Sequence, residues 1–484
     1  MLFVSVLVPV IGAAGLFLWR PKDRRACHVW TMLFTLATSI CAAIAILEPS
    51  VQRVELLQLT PLLSVSFKLD GLGRIFSGMV ALLWPLATLY AFEYMEHEGG
   101  ENHFFGFYML SYGATLGIAY AEDMMTMYIF YEFLSLATMF LVSHGMKPQA
   151  VHAGRKYVYY MLGGAAMGFL ALVTVVHYSG TGNFMLGGIP ALRIAPAFMI
   201  QVMFVMGFLG FGVKSAVFPF HAWLPTAGVA PTPVTALLHA VAVVKAGVFA
   251  VIRTSYYAFG ADLVRGTWAQ AVCLILALAS ILYGSAMAVK ESHMKRRLAY
   301  STMSNLSYVL LGAMLLTPAG LKGGLTHMLY HALMKITLFS CVGAVMVKTG
   351  RSYVQDLRGM GKKMPFILGV FLFAGVALTG IPPFIGFQSK WALASAAIAS
   401  GTWLGAAAVV VLLISAVLTA VYMLVPAFTA FFMPLDENGL EDRSYDPGWQ
   451  MKLPLAILCV IMLVLVAASA PLADYIGRVT QGLV

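Results

Sequence analysis

The stretch FGVKSAVFPFHAWLP, residues 211–225, is apolar almost throughout, yet it holds Lys214 and is interrupted by Pro219 and Pro225. The surrounding chain is 61% hydrophobic and only 10% charged, against about 25% charged in a soluble domain. Apolar runs of about 20 residues, each long enough to cross a bilayer, recur at 1–19, 28–48, 71–93, 103–121, 123–144, 154–178, 196–222, 230–258, 267–289, 296–316, 320–348, 366–392, 402–431 and 452–478. No linker between them could hold a soluble domain. The expected fold is an all-α polytopic membrane protein of about 14 helices, and Lys214 lies inside the seventh.

The net charge of +10 is a topology signal and calls for no nucleic-acid partner. Eighteen Lys and Arg, among them Arg24, Lys147, Lys295, Arg297, Lys348 and Lys452, fall in loops leaving odd-numbered helices, and seven, Arg253 included, lie at the other ends. Positive residues favour the cytoplasm, so both termini are expected outside an inner (cytoplasmic) membrane of bacterial type. RPKDRR follows the first run and no basic segment precedes it, the reverse of a cleavable signal peptide. That run is expected to stay as an anchored helix. The five cysteines show no CxxC spacing, which gives no support to iron–sulfur, zinc or disulfide readings. GLGRIFSG at 71–78 opens a helix without the strand a nucleotide fingerprint needs.

Four lysines, Lys214, Lys245, Lys335 and Lys390, have no loop to occupy. Facing lipid, four would cost on the order of 10 kcal/mol, so they must face protein or water. Lys390 sits late enough in its run to snorkel; the other three are too central. Static pairing fails for want of acids, because Glu132 in MYIFYEFLSLATMF is the one well-centred carboxylate. Opposite charges 4 Å apart attract by roughly 4 kcal/mol before desolvation, so Glu132 can hold one lysine protonated. A desolvated lysine without an acid is neutralisable, able to take up a proton and pass it on.

The histidines extend the pattern. In LTHMLYHALMKITLF, His327, His331 and Lys335 recur at i, i+4 and i+8, along about 12 Å of one helix face. His239 and Lys245 are expected on a single helix about 9 Å apart. A lone membrane histidine is usually an interhelical hydrogen bond, whereas a titratable row suits a proton relay. Pro382 and Pro383 precede Lys390 in VALTGIPPFIGFQSKWAL as Pro219 and Pro225 follow Lys214. Breaks of this kind survive only in protein or beside a wet cavity, and proline-interrupted helices in corresponding places mark inverted repeats. Helices 7 and 12 lie five apart, an odd offset that reverses orientation. The expected organisation is helices 1–3 over 1–102, a first five-helix repeat over 103–258, an inverted second over 259–431, and a cytoplasmic loop with helix 14 over 432–484.

These residues resemble the antiporter-like membrane subunits. That family comprises the L, M and N subunits of respiratory complex I, the A and D subunits of Mrp sodium/proton antiporters, and relatives in membrane-bound hydrogenases and formate hydrogenlyases. The core FGVKSAVFPFHAWLPTAGVAPTPVTALLHAVAVVKAGVFAVIR carries the likeness, which runs from about Asp70 to Lys390. It implies a pair formed by Glu132 and Lys214, a central relay at Lys245 preceded by His239, and a continuation through His327, His331 and Lys335. Lys390 would exchange protons with the outside. Complex I subunit M usually has glutamate at that last position, and VAPTPVTALLHAVAVVKAG with GIPPFIGFQSKW is nearer the Mrp D and hydrogenase-type branch. Gly228 departs from relatives that carry larger or histidine side chains, and the lateral extension of subunit L is not seen. The resemblance implies other membrane subunits as partners, with peripheral iron–sulfur, flavin or hydrogenase subunits in a redox complex, and no cofactor in this chain. Loop 435–452 reads as a solvated loop or a docking surface.

Two rivals stand beside the proton reading. An Mrp-type sodium/proton antiporter without redox partners would bind sodium through oxygens, from Asp70, Glu122 or Asp123 at helix ends. A haem-bearing oxidoreductase would use His327 or His331 with His239 or His221 opposite.

Overall fold

A computed structural model describes residues 1–49, 53–60, 63–435 and 443–482. Its helices and strands run α1 (Leu2–Trp19), α2 (Arg24–Leu47), β1 (Arg53–Thr60), β2 (Leu63–Lys68), α3 (Gly71–Met95), α4 (Glu101–Tyr120), α5 (Met124–Val142), α6 (Pro148–Ser179) and α7 (Ala197–Gly212). A turn over 213–222 leads to α8 (Trp223–Thr226), α9 (Thr232–Ala240) and α10 (Val243–Arg253). Then follow α11 (Trp268–Lys290), α12 (Met294–Met314), α13 (Pro318–Thr349), α14 (Pro365–Thr379), α15 (Ile385–Ala399), α16 (Trp403–Phe432), α17 (Trp449–Ala467) and α18 (Ala470–Gln481).

Ten of these, with α9 and α10 counted as one stretch Thr232–Phe259, are long and apolar enough to cross a membrane, and α7 and α14 are shorter apolar helices. The chain is an all-α polytopic membrane protein. Every apolar run falls on a helix or helix pair, but α4 (ENHFF…) and α12 (MKRRLAYSTMSN…) are more polar. Length and apolarity among the described residues therefore carry ten crossings, fewer than the expected fourteen.

Local chemistry sets the helix ends. Asp23, Asp70, Asp123 and Thr317 accept backbone N–H groups at the starts of α2, α3, α5 and α13, filling orphan donors that would otherwise be costly in a bilayer. Burial then ranks the helices. The apolar window of the α9–α10 stretch is 100% buried and that of α13 is 89% buried, while those of α2 and α17 are 28% buried. The central helices are thus the ones that carry histidines and lysines, and the lipid-like surface lies on the outer ones.

Connections group by parity. Arg24 and His28 pair with Glu101, Glu93 pairs with Lys348, and Gly448 N donates to Glu93. These join the ends of α3 and α13 to the starts of α2, α4 and α17. On the opposite side, Glu122 N donates to Ser66 O, Met124 N to Gly182 O and Met185 N to Tyr257 O. Segments meet on alternate sides, as helices crossing one layer must.

Three expectations are corrected. The segment between α2 and α3 is an antiparallel hairpin, with Arg53 opposite Lys68 and Val54 opposite Phe67, where the sequence reading has a loop. His239 and Lys245 do not share one helix, since the backbone breaks at Val241 and Ala242 and Ala242 N donates to Leu237 O. Arg253, Lys295 and Arg297, assigned to loops and helix ends, are buried: Lys295 Nζ donates to Ala230 O at 2.9 Å, and Arg297 reaches Tyr422 O and Glu291 O. Part of loop 435–452 lies outside the described residues. Its later part is docked, with Asp446 accepting Phe366 N and Ile367 N at the start of α14.

Candidate functional site

The interruption after α7 places Lys214. α7 stops at Gly212, and Lys214 lies in the following turn rather than within a helix. Carbonyls freed by such a break need donors. Tyr131 Oη donates to Phe211 O and Trp223 Nε1 to Val213 O, both at 2.9 Å. Lys214 is 1% exposed. Its Nζ donates to the Tyr131 carbonyl and lies 3.2 Å from the Tyr131 ring centroid. Glu132, the next residue, is half-buried, and its buried Oε1 has no partner among the described residues. The two expected partners are therefore neighbours, but no ion pair closes between them.

Gly247 holds this turn against α10. A Cβ there would meet Ser215 N and Oγ at 2.7 Å and Lys214 Cβ at 2.8 Å, so only glycine permits the approach. Two residues earlier on α10, Lys245 is fully buried with Nζ 2.5 Å from His331 Nδ1 on α13. That contact joins the two halves of the chain. A single proton can sit between amine and imidazole, whichever nitrogen carries it.

Along α13 the expected row is one continuous face. His327 and His331 rings stand 6.0 Å apart. His327 Nδ1 is 2.9 Å from Ser389 Oγ on α15, and Nε2 is 3.3 Å from Asn305 Oδ1 on α12. Lys335 donates to Leu298 O at 3.1 Å and Ser301 Oγ at 2.7 Å. His239 is fully buried against the Phe339 ring at 4.7 Å, and neither ring nitrogen has a partner among the described residues.

The second break repeats the logic of the first. α14 ends at Thr379, Gly380 takes the left-handed φ of 87°, and Pro382 and Pro383 lie in the exposed turn before α15. Lys390 Nζ donates to Leu378 O at 2.8 Å and Thr379 O at 3.0 Å, the negative end of the α14 dipole. Its amine therefore bonds inward, against the snorkelling alternative.

The carboxylates of the sodium alternative are engaged otherwise. Arg253 is fork-bonded to both oxygens of Asp70, Arg53 Nε donates to Glu122 at 2.7 Å, and Asp123 caps α5 while accepting from Ser66 and Thr126. A cavity of about 500 Å³ opens beside Asp70, Glu122 and Arg253. His327 and His331 share one face of one helix; both ring nitrogens of His327 are engaged, by Ser389 and Asn305, and His331 Nδ1 meets Lys245.

Sequence reasoning overlooked the Asp70–Arg253 and Glu93–Lys348 pairs, because residues at run ends look like loop residues. It also missed a hydroxyl face on α16, legible as Ser415, Thr419 and Tyr422 at i, i+4 and i+7.

Known proteins share both sequence and fold with this chain. Residues 121–419 match the family described as NADH:quinone oxidoreductase/Mrp antiporter, TM, and residues 61–105 match NADH-Ubiquinone oxidoreductase (complex I), chain 5 N-terminus. The chain belongs to the NADH:quinone oxidoreductase/Mrp antiporter transmembrane family. It is 32% identical over 411 residues to NADH-quinone oxidoreductase subunit N of Desulforudis audaxviator, covering 82% of this chain and 80% of that protein. It is 29% identical over 420 residues to Na(+)/H(+) antiporter subunit A1 of Staphylococcus aureus, covering 82% of this chain and 52% of the relative. The chain thus spans about half the length of that antiporter subunit. Among solved structures, a chain of respiratory complex I from Thermus thermophilus superposes with a TM-score of 0.82 at 25% identity, covering 100% of both chains. Chains of an archaeal membrane-bound sulfane sulfur reductase (TM-score 0.88, 21% identity) and of the Mrp complex from Dietzia sp. (TM-score 0.87, 23% identity) share the fold, each covering 100% of this chain and 97% of the other.

Proposed function

We propose that this chain is a proton-translocating subunit of a multisubunit complex in a bacterial-type inner membrane, with both termini outside. Its two five-helix repeats are inverted, and each offers a lysine at a helix break. Protons move along Glu132, Lys214 and Lys245, through the α13 row His327, His331 and Lys335, and on to Lys390, with His239 packed against Phe339 of α13. Opening and closing of the Glu132–Lys214 pair alternates with proton occupancy at Lys245. The supporting observation is the buried Lys245–His331 contact of 2.5 Å, which links the relay groups of the two halves without any carboxylate. Other membrane subunits are the expected partners, and peripheral redox subunits supply the driving energy where the complex is of complex I or hydrogenase type.

The test is purification of the native complex in mild detergent, identification of its subunits, and reconstitution into vesicles with an internal pH-sensitive dye. Proton uptake that persists without sodium and is lost in Glu132→Ala supports the reading. Flux that requires sodium and survives Glu132→Ala overturns it in favour of an Mrp-type cation antiporter.

A further inference from the structure

Lys335 is fully buried, and among the described residues it forms no ion pair. The titratable and charged groups around it are Lys245, Lys390, His239 and His331, with Arg297 behind on α12. None of these carries negative charge, so a proton held on Lys335 needs a different counterweight.

The structure contains one, on a helix with no part in the relay above. Lys335 Nζ donates to Ser301 Oγ at 2.7 Å, and Ser301 donates onward to Tyr422 Oη at 2.9 Å. Tyr422 Oη lies 3.0 Å from Thr419 Oγ1, which itself donates to Ser415 O at 2.7 Å. Because Thr419 gives its hydrogen to that carbonyl, it is placed to accept from Tyr422, whose hydroxyl also meets Asn305. The O–H of Ser301 therefore points away from the amine, as does that of Tyr422 when it gives its hydrogen to Thr419, and one lone pair of each oxygen accepts from the amine side. Hydrogen bonds aligned head to tail polarise one another, most strongly in a low-dielectric interior. Arg297 Nη1 fixes the Tyr422 backbone through its carbonyl at 3.1 Å, while Val417 and Val421 on the opposite face of α16 are exposed.

We propose that the α16 hydroxyl face, through Ser301, is the counter-dipole that lets Lys335 hold a proton without a carboxylate, with Tyr422 as the positioning residue. The proposal rests on the proton-translocation reading. Taking up the proton converts a neutral amine to an ammonium, and its hydrogen bonds to Ser301 and Leu298 O strengthen as the charge appears. No other bond forms or breaks.

The experiment uses vesicles holding the chain with its native partner subunits and reads proton flux under an imposed gradient as a function of pH. Hydrogen bonds to a charged group are worth about 1.5–3 kcal/mol, so losing the middle of the chain shifts the profile by about one pH unit. Tyr422→Phe weakens the protonated form, so its profile moves to more acid pH while the maximal rate is regained there. Ser301→Ala shifts the same way and Ser301→Thr restores the wild-type profile. If Tyr422→Phe does not assemble, Thr419→Val takes its place with a smaller acid shift. An unchanged profile, or a fall by the same factor at every pH, overturns the proposal. Absence of proton flux in the wild type would instead sink the translocation reading on which it rests.

Discussion

Gly247→Ala tests whether the Lys214 turn and α10 must lie in contact for transport. The added methyl would sit 2.7 Å from Ser215 N and 2.8 Å from Lys214 Cβ, where ordinary contact is 3.4–4 Å. One of those atoms is backbone, so the turn itself must retreat by about 0.7–1 Å to restore ordinary contact. Overpacking of this kind costs about 1–3 kcal/mol, partly offset by the roughly 1 kcal/mol by which alanine favours a helix over glycine. The net cost in stability should therefore be about 0–2 kcal/mol. Transport should not be spared, because displacement of a reacting group by about 1 Å can cost on the order of 100-fold in rate. The expected outcome is a complex that assembles in normal amount on a native gel and moves protons at least about tenfold more slowly in dye-loaded vesicles. Wild-type flux from a fully assembled Gly247→Ala complex would refute the claim that this contact sets the geometry of Lys214.

Lys390→Ala removes two charge-assisted hydrogen bonds from the end of α14; proton release on the outer side should be blocked while uptake into the chain persists, read by dyes on each face. A mild loss on both faces would return Lys390 to a structural role. Asp70→Asn leaves the buried Arg253 guanidinium without its carboxylate. Loss of one partner of a buried pair costs about 3–5 kcal/mol, and the lower end applies because the Asp70 side chain is 26% exposed. The purified complex should unfold at a lower temperature, and an unchanged midpoint would show that the pair adds little.

The fold was legible because a bilayer makes each departure from apolarity conspicuous. Lys214, Lys245 and Lys335 stood out as anomalies, and Pro219 and Pro382 marked where helices had to break. The partners were not legible. Lys390 and Lys214 are held by backbone carbonyls that breaks or neighbouring helices expose, and no residue type announces a free carbonyl. The break between Ala240 and Val243 falls in LLHAVAVVKAG, where no proline and no glycine precede it. Arg253, Lys295 and Arg297 lie at run ends, where a cation turned inward looks the same in sequence as one in water. The hairpin over 53–68 carries an alternating pattern too short to stand out between two long apolar runs.

The relay account is tested most directly at the contact between the halves, by proton flux through reconstituted Lys245→Ala complex. Removal of the amine leaves His331 Nδ1 without its partner and interrupts the only direct link between relay groups of the two halves seen among the described residues. The account predicts full assembly with no coupled proton flux at any pH. Flux at the wild-type rate in assembled Lys245→Ala complex would contradict it.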